Sequence, residues 1–265
     1  MTDTVKDDQT RLSPVSLMIE AWGMAKVAAL PALPWLFGLC VAAGAYSAAS
    51  QLQAGWGALV ALFVAFCVGV EGSRRAYGAM LGNNGQFRAL AHTNLAIYLV
   101  FSFVGIFVGF FLSVLPGIFL MVGSGVEFDA ETDPAVIQAA VNDMMFTPYG
   151  LIYGLAILAS VLGLSYLALR LLIAGAKTAD TGTAHVFRTW PKTRGHVKPL
   201  ALASLGTHIG PFALAVGLSV LVNSVIGAEG AAVAFARSFV SMALLIPFIL
   251  TGHGLAVAAY RKLDV

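Results

Sequence analysis

Four ionisable side chains lie where an apolar chain has few. His208 sits about 12 Å into an apolar run that starts near residue 200, at the helical rise of about 1.5 Å per residue. His253 precedes Arg261 at a comparable depth in the next run. Paired histidines can relay a proton or hold a metal. They can also simply donate to a neighbouring carbonyl or hydroxyl, and Thr207, Thr251 and Ser204 are close in sequence. No HxxxH, HExxH or intramembrane acid accompanies them, so the second reading is preferred and no metal is expected. Glu71 has Arg74 and Arg75 at the i+3 and i+4 positions of a helix. Arg170 closes a run and can snorkel to the interface. Turned inward, Glu71, Arg170, His208 and His253 would form one polar cluster.

A second constellation is the strip RTWPKTRGHVK. It carries Arg188, Lys192, Arg194 and Lys198 around Trp190, with no acid. Such a strip suits anionic lipid headgroups or a protein partner. It also suits a purely topogenic loop with Trp190 at the membrane interface. Walker A, GxSxG, DxD and HExxH patterns are absent, and no carboxylates pair on a span. No catalytic residue and no cofactor is therefore expected.

The elements that must position these residues follow from composition. Of 265 residues, 59% are hydrophobic and 11% charged. Soluble domains run at roughly 45–50% and about 25%. Mean hydropathy is +0.86. This excludes an ordinary soluble enzyme, a disordered chain and a nucleic-acid-binding domain. Six runs are long enough to span a bilayer, at about 28–48, 54–72, 95–116, 149–171, 200–222 and 232–256. The expected fold is all-α: a six-transmembrane-helix bundle with short interfacial amphipathic helices. Residues 1–13 read as a retained cytoplasmic tail, and 14–265 as a single membrane domain. Cys40 and Cys67 lie in apolar runs and read as buried small hydrophobes.

Alternate sides follow from the basic residues. Every one of the 15 Lys and Arg except Arg237 falls on one side of these spans. The bias predicts both termini in the cytoplasm. Arg237 is expected to snorkel or to meet Glu229.

Three amphipathic pieces are expected between spans. Ser13-Pro14 caps the first, with an apolar stripe of Val15, Met18, Ile19 and Trp22. Asp133-Pro134 caps the second, with Ile137, Ala140, Val141, Met144 and Met145 as its stripe. The third covers Thr183–Trp190 and ends at Pro191. Pro247 should kink the last span. GxxxG pairs at Gly105/Gly109, Gly150/Gly154 and Gly206/Gly210 could permit close helix packing. A weak repeat aligns Trp22, Lys26 and Pro31 with Trp190, Arg194 and Pro199.

Arg170, Phe187, Arg188, Trp190, Thr193, Arg194 and Gly195, with Ala21-Trp22, resemble a group of bacterial six-span membrane proteins. The group is similar to the membrane domain beside some glycerophosphodiester phosphodiesterases. Thr189 and Pro191 depart from its helix-favouring pattern. The resemblance implies architecture and a bacterial inner membrane, and it carries over no catalytic residue. The resulting expectation is a non-enzymatic inner-membrane protein that organises lipid or binds a partner through its basic cytoplasmic face. Its partners would be anionic lipid, a protein or a second copy. A small transporter or channel is the alternative, and a lipid-acting enzyme the third.

Overall fold

The computed structural model describes residues 12–123, 133–226 and 230–263. The tail to residue 11, the acids Glu127, Asp129 and Glu131, and Glu229 lie outside these. The described residues are helical and contain no strand. Six helical stretches are long and apolar enough to cross a membrane: Pro14–Gln51, Gly55–Leu81, Phe87–Phe119, Pro148–Thr181, Val197–Val225 and Ala231–Leu263. The protein is therefore an all-α, multi-pass membrane protein by architecture. The region read from sequence as one membrane domain divides into two compact units, Ala96–Ala168 and the residues on either side of it.

The larger unit is built on α1 (Pro14–Gln51), α2 (Gly55–Leu81), α6 (Ala174–Thr181), α7 (Val197–Ser204), α8 (Gly210–Val225), α9 (Ala231–Leu244) and α10 (Ile246–Leu263). It also takes the first turns of α3 (Phe87–Gly123) and the last residues of α5 (Pro148–Leu171). Ser13 caps α1 by accepting from Ser16 N, with Pro14 at the first helical position. The helix then runs unbroken through Pro31 and Pro34. The first amphipathic piece is thus continuous with span one. At 38 residues α1 is about 57 Å long, well beyond a hydrocarbon core of about 30 Å.

The buried face of α1 is Leu17, Ala21, Ala25, Ala28, Ala32, Leu36 and Cys40. The stripe expected from hydrophobicity lies largely outside: Val15, Ile19 and Trp22 are exposed. Bulky side chains here face outward and small ones face protein, the usual arrangement where lipid supplies the apolar environment. Ala256, Ala258 and Ala259 of α10 meet this small-residue face, and Gly254 lies against the backbone of Ala21.

Prolines set the breaks in the last two spans. Pro211 has no N–H to offer the carbonyls of Gly206 and Thr207. The turn before it widens into a π-helical segment over Leu205–Ile209. Trp22 Nε1 of α1 donates to Gly206 O at 3.3 Å, and Thr251 Oγ1 of α10 donates to Thr207 O. Both carbonyls are satisfied from neighbouring helices. Pro247 similarly follows a one-residue break at Leu245, whose N–H turns back to Ala243 O.

In the smaller unit, Asp133 caps α4 (Pro134–Met145) as expected, accepting from Ala135 N at 2.8 Å. Met144 is buried, Ile137, Ala140 and Val141 are half-buried, and Met145 is exposed. Gly150 has no room for a Cβ against the carbonyls of Met144 and Met145, so it serves this local turn. Gly105, Gly109 and Gly154 face open space. Among the GxxxG pairs, only Gly206 meets another helix, at Met18.

Candidate functional site

One end of the larger unit gathers the start of α1 and the C-terminal ends of α2, α6 and α10. Lys262 Nζ pairs with Glu20 Oε1 at 2.6 Å and donates to Ser16 Oγ at 3.1 Å, tying α10 to α1. Arg261 Nη2 donates to Met80 O at 2.6 Å, a cation on the last carbonyls of α2. Tyr260 Oη donates to Asp180 Oδ2 at 2.7 Å, and Asn83 Nδ2 to Asp180 Oδ1 at 3.3 Å. Thr93 and Thr178, both fully buried, share a hydrogen bond of 3.0 Å.

The basic strip is built onto this end. Its helix is a 3₁₀ turn over Phe187–Thr193, four residues later than the sequence suggests, and it passes through Pro191. A tight 3₁₀ turn tolerates proline where an α-helix interior does not, because fewer internal donors are needed. Thr189 and Thr193 are fully buried beneath it. Thr193 Oγ1 donates to Trp190 O at 3.1 Å and to Arg170 O at 3.2 Å. The Arg170 guanidinium lies 4.7 Å from the Trp190 ring centroid. Arg170 is only 3% exposed, so this cation–π contact is largely shielded from water. Trp190 is half-buried by it. Arg188, Lys192, Arg194 and Lys198 are all exposed. The strip therefore begins in an ordered turn, with Thr189, Thr193 and part of Trp190 inward and the cations outward.

The other four candidates are not held as one cluster. Glu71 takes both guanidinium edges of Arg74, at 2.6 and 2.5 Å, and Arg75 Nε at 2.8 Å. His208 Nδ1 bonds Thr207 Oγ1 at 3.0 Å, with its ring edge-on to Phe248. A Cβ at Gly252 would lie 3.0 Å from His208 Nε2, so that face is packed against α10. His253 bonds Ile249 O at 2.7 Å and Ser73 Oγ at 2.9 Å, and its ring lies 4.6 Å from that of Tyr77. Arg170 lies under Trp190. His208 packs on Gly252 of α10, one residue from His253, but each histidine is engaged by its own carbonyl or hydroxyl. His208 packs the π-helical segment against α10 and His253 ties α10 to α2, as structural links. Thr251 closes the same region. Thr251→Val keeps the shape and strands the Thr207 carbonyl, at an expected cost of about 1–3 kcal/mol. A lowered thermal midpoint in detergent would show it.

Two features escaped sequence reasoning. Arg74 and Arg75 line a cavity of about 240 Å³ with Pro31, Asn83 and Asn84, at the same basic end. Arg237 turns to the carbonyl of Ile226, through Nε at 3.2 Å and through Nη2, and lines a polar cavity at the other end of this unit. Both depend on helix pairing that periodicity within a single span does not reveal. Comparison with protein-family models, with curated proteins and with solved structures finds no match to this chain.

Proposed function

We propose that this chain is a non-enzymatic protein of a bacterial inner membrane that holds anionic lipid headgroups at its cytoplasmic face. Both termini lie in the cytoplasm on this reading, which rests on the Lys/Arg bias. The carrying observation is the 3₁₀ turn. Arg188 and Lys192 project from a turn whose Thr189, Thr193 and Trp190 are anchored inside the protein, and the exposed Arg194 and Lys198 follow directly after it. An unanchored topogenic loop would have no need of such inward contacts. Each Lys or Arg near an anionic surface is worth about 1 kcal/mol, so four act together strongly. The Arg74–Arg75 cavity lies at the same end, its two guanidinium groups sharing the Glu71 carboxylate and so carrying one net positive charge.

The reading is tested with Arg188→Glu, Lys192→Glu, Arg194→Glu and Lys198→Glu combined. Wild-type protein purified in native lipid should carry phosphatidylglycerol or cardiolipin in excess over the bulk membrane. Mass spectrometry of the quadruple variant should find that excess lost. An unchanged lipid complement would overturn the proposal.

A further inference from the structure

The end of the larger unit opposite the basic strip is almost free of cations in sequence, with Arg237 the exception. A base on the minority side works against the charge bias that orients the chain. The structure places that base in a polar cavity. The last turns of α1 bring Tyr46, Ser47 and Ser50, the α1–α2 turn brings Gln53, and α9 brings Arg237 and Ser238. The cavity measures about 520 Å³, within the range of roughly 300–1,000 Å³ for small-ligand sites. Among the described residues no carboxylate lines it, and Glu229, the partner expected from sequence, lies outside them.

The guanidinium is oriented before any ligand arrives. Its Nε and Nη2 are held by the Ile226 carbonyl. Its Nη1 makes no hydrogen bond to the described residues. The Ser47 and Ser238 hydroxyls bond each other at 2.5 Å across α1 and α9, which leaves one of their two protons to donate elsewhere. Gln53 is the only non-glycine among the described residues with positive φ, at 53°. That conformation is uncommon for a side-chain-bearing residue and sets the Gln53 amide on the rim. A fixed cation, a spare hydroxyl proton and an amide, with no acid among the described lining residues, together match a phosphate oxygen set. The cavity also lies where α1 ends and α2 begins, between two apolar runs long enough to span a bilayer.

We propose that this cavity binds a phosphate group, either the diester of a phospholipid in the adjacent leaflet or a free phosphate. It is independent of the basic strip, which lies at the other end of the unit.

The test uses the full chain in detergent, with the strip intact. Phosphatidylglycerol is titrated and followed by native mass spectrometry, and inorganic phosphate is titrated separately by equilibrium dialysis. Arg237→Gln should weaken one ligand by about tenfold, the loss typical of a charge-assisted phosphate contact. Loss of one lipid equivalent identifies the lipid diester, whereas loss of phosphate binding with lipid unchanged identifies free phosphate. Ser50→Leu fills the cavity without touching the guanidinium and should weaken the same ligand, which keeps the test valid if Arg237→Gln folds poorly. Wild-type binding of both ligands in folded Arg237→Gln or in Ser50→Leu overturns the proposal.

Discussion

Gly254→Val is expected to yield little or no folded protein. A Cβ at this position would stand 2.2 Å from the carbonyl oxygen of Ala21, 3.0 Å from its carbon and 3.1 Å from its Cα. The obstacle is backbone, so no side-chain rotation relieves it. Ala21 and Leu255 are fully buried, which leaves α1 and α10 no slack at the crossing. Overpacking a tight site usually costs about 1–3 kcal/mol, and a backbone clash belongs at or above the top of that range. Gly23→Ala on α1, the opposing helix, is the control. Nothing lies within 4 Å of its Cβ, so the added methyl should stabilise α1 by up to about 1 kcal/mol. Thermal unfolding in detergent, read by tryptophan fluorescence, separates the two. Equal midpoints for Gly254→Val and wild type would contradict the close approach of α1 and α10.

Arg170→Leu is expected to weaken anionic-lipid binding although Arg170 is itself buried. The side chain does not belong to the exposed cationic set. It supports Trp190, and its carbonyl receives Thr193. Removing the guanidinium deletes a desolvated cation–π contact worth about 2 kcal/mol. The turn over Phe187–Thr193 should then lose amide protection in hydrogen exchange, and its Arg188 and Lys192 should no longer be held in fixed register with Arg194 and Lys198 just beyond it. Trp190→Leu should do the same, and the double variant should fall short of the sum of the two, because both remove one contact. Arg170→Leu with undiminished protection and lipid binding would show that the turn is held by something else.

The legible parts of this fold are local ones. Ser13-Pro14 and Asp133-Pro134 start helices at the expected residues because a cap needs only its own side chain and the next three N–H groups. The six spans follow from run length alone. Glu71 meets Arg74 and Arg75 because all three sit on one helix face. What hydrophobicity does not reveal is which face of a helix packs on protein. On α1, Val15 and Ile19 are outside while Ala21, Ala28 and Ala32 are fully buried. Among lipids, burial follows side-chain size more than polarity. The GxxxG pattern misleads for a related reason. Gly44 against Phe235, Gly175 against Tyr77 and Gly254 against Ala21 make close approaches between helices outside any GxxxG pair, and within the pairs only Gly206 does, against Met18.

The candidate sites divide in the same way. The basic strip is legible as charge, but its ordering is not, because Arg170 and Trp190 are far apart in sequence and meet only in the fold. The Trp22 and Trp190 segments look alike in sequence yet act differently. Trp22 repairs a carbonyl beside Pro211, whereas Trp190 covers Arg170. The pairing of His208 and His253 with nearby polar groups is partly legible, since Thr207 is adjacent; the Ser73 partner of His253 comes from another helix. The Arg237 cavity needs α1 and α9 side by side and has no sequence signature beyond one misplaced base.

The central claim is that the ordered cationic turn selects anionic lipid. The most direct measurement is the enrichment of phosphatidylglycerol over phosphatidylcholine around the full chain in mixed bilayers, at low and high salt. The screening length shrinks from about 30 Å at 0.01 M to about 3 Å at 1 M. Wild-type enrichment should therefore fall steeply with salt, and the quadruple charge-reversed variant should show neither enrichment nor salt dependence. Equal enrichment in both proteins, with the same response to salt, would contradict the account.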